Sequence, residues 1–124
     1  MSIKSLDEYN RGNLAAYIEL LKTGIRGICL PNISSCEKGA IDHVDKEARG
    51  NGLSSLLVTY KGIRRIAGRR RNLYQRIVYR KGKKAGAEQL RRRLGKNPKN
   101  KADARVIGEL LGYSEDAIGL FLKG

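Results

Sequence analysis

Residues 53–80 read LSSLLVTYKGIRRIAGRRRNLYQRIVYR, and the reading of this stretch decides the fold. Its apolar and β-branched residues come in short runs separated by glycines, the pattern of strands joined by tight turns. Residues 53–60 form one expected strand, 63–67 a second and 73–80 a third. Lys61-Gly62 is the expected hairpin turn between the first two, and Gly68–Asn72 the loop before the third. Side chains alternate across a strand. Leu73, Gln75, Ile77 and Tyr79 then share a core-facing side, and Tyr74, Arg76, Val78 and Arg80 share the other.

Outward from this small antiparallel sheet the chain reads as helical. Ser5 and Glu8 have capping-box spacing, and Leu6, Tyr9, Leu14, Tyr17, Leu20 and Leu21 follow on one helical face, predicting a helix over 6–22 closed at Gly24. Residues 24–32 read as a loop or short strand. Ser34 and Glu37 repeat the capping spacing and predict a helix over about 35–49. Beyond the sheet, residues 85–94 predict a helix ending at Gly95, and Asn100 caps another. The expected architecture is α+β in one small domain over 1–124: N-terminal helices, a sheet at about 53–80 and a helical corner at 100–123.

Charge is the strongest functional signal. The 124 residues carry a net charge of +14, and residues 61–105 alone hold 18 basic against two acidic side chains. The rest of the chain is close to neutral. A field concentrated in one segment attracts polyanions. Arginine grips phosphate oxygens bidentately, and tyrosine rings stack on bases. The candidate phosphate-binding residues are Arg64, Arg65, Arg69, Arg70, Arg71, Tyr74, Arg76, Arg80, Lys81, Lys83, Lys84, Arg91, Arg92, Arg93, Lys96 and Lys99. Tyr60 and Tyr79 are further candidates for stacking on a single strand. In Thr23-Gly24-Ile25-Arg26-Gly27, Arg26 and Gly27 are candidate nucleotide contacts, although a helix C-cap followed by a turn explains both glycines.

Residues 104–123, ARVIGELLGYSEDAIGLFLK, resemble a helix-turn-helix in their apolar spacing and their Gly-Tyr-Ser turn. The resemblance implies DNA reading by the second helix. Glu115, Asp116 and Gly119 on that helix would face phosphates poorly, so a packing or oligomer-forming corner is the preferred reading. Cys29, Cys36 and the lone His43 lack the spacing of a closed zinc site, and no nucleophile, base and orienting group recur at usable spacing. Neither a metal, a cofactor nor catalysis is expected. No apolar run is long enough to cross a membrane, and no export signal precedes the first helix, so an intracellular, cytoplasmic protein is expected. Two functions stand. The first is a non-catalytic binder of nucleic acid through the 61–105 stripe. The second, resting on size and charge, is a small phage-type inhibitor or sponge. It would hold an anionic signalling nucleotide in pockets between subunits of a homo-oligomer, or dock on a nucleoprotein complex.

Overall fold

The computed structural model describes residues 3–95 and 101–111, with side chains described for 13–63, 65–95 and 105–111. The fold is α+β. In chain order it comprises α1 (Ile3–Lys22), β1 (Ile28–Cys29), β2 (Ser34–Ser35), a 3-10 turn (Lys38–Ile41), α2 (Asp42–Gly50), β3 (Ser54–Ile66), β4 (Arg69–Tyr79), α3 (Lys84–Gly95) and α4 (Lys101–Leu110).

The long β3–β4 hairpin is the spine. β4 pairs antiparallel with β3 from Ser54↔Tyr79 to Ile66↔Arg69. A strand has two edges, and β3 occupies one throughout. The short β1 and β2 therefore share the other, at Ile28↔Tyr79 and Cys29↔Val78, then Ser34↔Gln75 and Ser35↔Tyr74. Gln75 ties this split edge together: its Nε2 donates to the Pro31 carbonyl at 2.9 Å, and its Oε1 accepts from the Tyr60 hydroxyl at 2.7 Å.

Over the inner part of the sheet both faces are covered. On one, Leu14, Ile18 and Leu21 of α1 and Val44 and Ala48 of α2 pack with Ile33, Ile41, Leu53 and Val78. On the other, Ala87, Leu90 and Leu94 of α3 pack with Val58, Ile77, Tyr79 and Leu111. Consecutive β4 residues Ile77, Val78 and Tyr79 are all buried for this reason. Gly86 lets α3 sit down on the sheet, since a β-carbon there would fall 2.9 Å from Cδ1 of Ile28.

Three expectations are corrected. Lys61-Gly62 is not a hairpin turn but part of a bulge. The register shifts between Tyr60↔Leu73 and Arg64↔Arg71, so residues 61–63 stand opposite Asn72 alone. Gly62 adopts φ +59°, and its N–H donates to Asn72 Oδ1 at 2.9 Å. The real turn is Ala67-Gly68, with φ 52° and 78°. Positive φ at both central residues is the requirement of a type I′ hairpin, whose twist matches that of its strands. Arg69–Arg71, expected in a loop, are consequently strand residues. Finally, Ser34 caps no helix: it lies in β2, and α2 begins only at Asp42 after the 3-10 turn. The Ser35 hydroxyl instead accepts the Glu37 N–H at 3.0 Å. The second helix of the expected C-terminal corner, its Gly-Tyr-Ser turn, and Lys96 and Lys99 lie outside the described residues.

Candidate nucleic-acid interface

The outer part of the hairpin carries the densest charge. Every residue from Arg65 to Arg71 is exposed. Successive strand residues face opposite sides, so unbroken exposure means that both faces of this ribbon are in solvent. The register stacks the cations as rungs: Arg64 opposite Arg71, Arg65 opposite Arg70, and Ile66 opposite Arg69. Like charges directly opposite on a two-stranded ladder are unfavourable. Among the described cations of the ribbon only Arg71 has a carboxylate within 4 Å, Glu37 at 3.6 Å, and that pair is solvent-exposed. Ile63 and Ile66, 44% and 43% exposed, interrupt the charge.

The sequence stripe divides in space. Arg80, Lys81, Lys83 and Lys84 follow the opposite end of β4, some 11 residues and up to about 36 Å of strand from Arg69. There Arg80 lies over the C-terminal turn of α1. Gly24 closes that helix at φ +82°, with the Gly24 and Arg26 N–H groups donating to Leu21 and Leu20 carbonyls. A β-carbon on Gly24 would meet Arg80 Nη1 at 2.7 Å, and one on Gly27 would meet Lys83 Cε at 2.9 Å. Arg26 donates to the Leu111 carbonyl at 2.6 Å, at the end of α4. The glycine-flanked segment is thus a helix terminus packed by long cationic side chains, and a cation near helix carbonyls complements the helix dipole.

α3 returns toward the ribbon. Its last residue, Gly95, lies against the Thr59 carbonyl at the ribbon's base, and Arg91 and Arg92 are exposed on its final turns. Arg93 is half-buried and engaged in a further interaction.

Two candidates from β4 sit elsewhere than expected. Tyr74 packs against the α1–α2 core. Arg76, with a side chain 17% exposed, donates to Ser55 Oγ at 3.1 Å and lies 3.9 Å from Asp45. Ser55 Oγ donates to Asp45 Oδ1 at 2.6 Å, and Arg49 Nε approaches Asp45 Oδ2 at 2.9 Å. The Ser55 hydrogen bond, with Arg49 and Arg76, holds the Asp45 carboxyl below its usual range despite its partial burial. This network joins α2 to both long strands and occupies Arg76. Tyr60 and Tyr79 are half-buried and buried respectively, and burial raises the Tyr60 pKa. The expected outward face of β4 was therefore an interior one: it faces helices that the strand pattern could not reveal.

Away from the ribbon, a groove of about 780 Å³ opens between α1, β2 and α2, lined by Leu14, Ile18, Ile41, His43, Lys46 and Glu47 among others. Among the described residues no cluster of three His, Cys, Asp or Glu side chains could hold a metal ion, and no helix is long and apolar enough to cross a membrane. No protein-family model, no curated protein and no solved structure matches the chain.

Proposed function

We propose that this protein is a non-catalytic nucleic-acid binder that grips the phosphate backbone with the β3–β4 ribbon. One observation carries the reading. An exposed ribbon stacks arginines against arginines, with one described carboxylate in reach. That arrangement opposes its own folding and becomes favourable when a polyanion lies along it. Lys61, Arg65 and Arg69–Arg71 supply the central contacts, and Arg91 and Arg92 flank them. Arg80, Lys81, Lys83 and Lys84 form a separate basic pole, available to a long ligand but too distant to share a compact one with the ribbon.

Fluorescence anisotropy against duplex DNA, single-stranded DNA and single-stranded RNA, each over a salt series, tests the reading. The expected result is a slope of log affinity against log salt of about −4 or steeper, equivalent to roughly five phosphates or more. Replacing Arg69, Arg70 and Arg71 together by Ala should weaken binding at least about tenfold and flatten that slope. Unchanged affinity in this variant, or no binding by any probe at about 0.1 M salt, overturns the proposal.

A further inference from the structure

We infer that the β3–β4 ribbon is an arm that enters the major groove of B-form duplex DNA. The inference rests on the nucleic-acid reading above and narrows it to one substrate and one groove.

Stacking rings come first. Proteins that hold single strands without sequence preference lay the bases on exposed aromatic side chains. Among the described residues no aromatic ring is exposed. Tyr17, Tyr60 and Tyr74 are half-buried, Tyr79 is buried, and the Tyr60 hydroxyl is bonded to Gln75. What the ribbon does expose is arginine and isoleucine, which suits a paired duplex whose bases are already stacked.

Shape comes second. Paired strands lie about 4.8 Å apart, so a two-stranded ribbon with its side chains fits a groove about 12 Å wide, the width of the B-DNA major groove. From Leu73 at the bulge to Arg69 at the turn the arm extends roughly 13 Å. The major groove is about 8.5 Å deep, so the arm reaches its floor while its base remains at the phosphates. The minor groove of undeformed B-DNA, about 6 Å wide, is narrower than the ribbon, and the deep, narrow major groove of A-form RNA does not admit side chains. The two-residue turn Ala67-Gly68 keeps the leading end slim.

Chemistry comes third. Ile63 and Ile66 are the exposed large apolar residues of the ribbon. In the major groove the thymine methyl group is the apolar feature on offer, and uracil lacks it. Exposed arginines beside them meet guanine O6 and N7, or phosphates at the rim. Arg91 and Arg92, at the ribbon's base, are placed for flanking phosphates.

The test is a competition assay with a 20-base-pair DNA duplex, the RNA duplex of the same sequence, each single strand, and the DNA duplex with deoxyuridine in place of thymidine. The DNA duplex should bind at least about tenfold tighter than the RNA duplex. Methylating guanine N7 should weaken binding, and distamycin, which fills the minor groove, should leave it intact. Arg65→Ala with Arg70→Ala should cost at least about tenfold. Deoxyuridine should weaken the wild type about threefold but leave the Ile63→Ser, Ile66→Ser variant unaffected. All four positions lie outside both cores, and unchanged circular dichroism verifies the fold of each variant. Equal affinity for the RNA duplex or a single strand, or displacement by distamycin, overturns the groove inference while the nucleic-acid reading survives. Failure of every probe overturns both.

Discussion

The side chains of Asp45, Ser55 and Arg76 show how a few charged residues are used to join elements rather than to bind ligands. Asp45 is held below its ordinary pKa in the folded state, so the unfolded chain takes up that proton first as pH falls. The stability it contributes is present above about pH 4 and is lost as pH drops through the folded value. Asp45→Asn should destabilise the protein by about 1–3 kcal/mol at pH 7, because Arg76 loses its carboxylate in a part-buried site. The deficit should shrink on acidification below pH 4, read from urea midpoints at several pH values; a pH-independent deficit would contradict the network. Cysteine behaves just as locally. Cys29 is buried, and desolvation raises its pKa to about 11 despite the opposing charge of Arg26. At pH 8 its thiolate population falls roughly a hundredfold below that of an unshifted thiol. Titration of the native protein with a thiol reagent should therefore show one fast group, Cys36, with Cys29 reacting only on unfolding.

Among the elements, the ribbon stands apart because its rungs lack a core. Its folding depends on the bulge at Gly62, where Asn72 takes the displaced N–H, and on the turn at Ala67-Gly68. Ala67 occupies left-handed backbone at φ 52°, which costs a residue with a β-carbon about 1–2 kcal/mol. Asn tolerates that region well, so Ala67→Asn, which creates an Asn-Gly turn, should stabilise the ribbon by about 0.5–1 kcal/mol. Slower amide exchange at Ile66 and Arg69, the hydrogen-bonded pair that flanks the turn, is the expected readout, and faster exchange would argue against the type I′ assignment. The sequence suggested alternation and turn residues here but put the turn at Lys61-Gly62. Both dipeptides end in glycine, and only the pairing of the flanking strands distinguishes a turn from a bulge. The helices were more legible: α3 and α4 begin within a residue or so of their expected starts, because 3.6-residue periodicity and terminal glycines are local signals.

The whole molecule carries +14 with its excess in one segment, so self-repulsion weakens the folded state and screening relieves it. Melting temperature should rise as salt increases from about 0.02 to 0.3 M. At low salt, saturating duplex should raise it further, since a ligand at a hundred times its Kd adds about 2.7 kcal/mol. A melting temperature that falls with salt would mean that the charge is paired within the fold rather than left for a partner.

By itself, the sequence determined the α+β class, the positions of most helices and the basic character of residues 61–105, because periodicity, capping and composition act over a few residues. It did not determine which basic residues share a surface. Two faces of one strand look alike when helices cover both, so Tyr74 and Arg76 read as outward although α1 and α2 lie over them. Only tertiary structure drew Arg76 onto Asp45 and Ser55, set Arg80 and Lys83 over the end of α1, and left Arg65 to Arg71 alone on an uncovered ribbon. The physical reason is that exposure is a property of what packs against a strand, and those contacts come from residues distant along the chain.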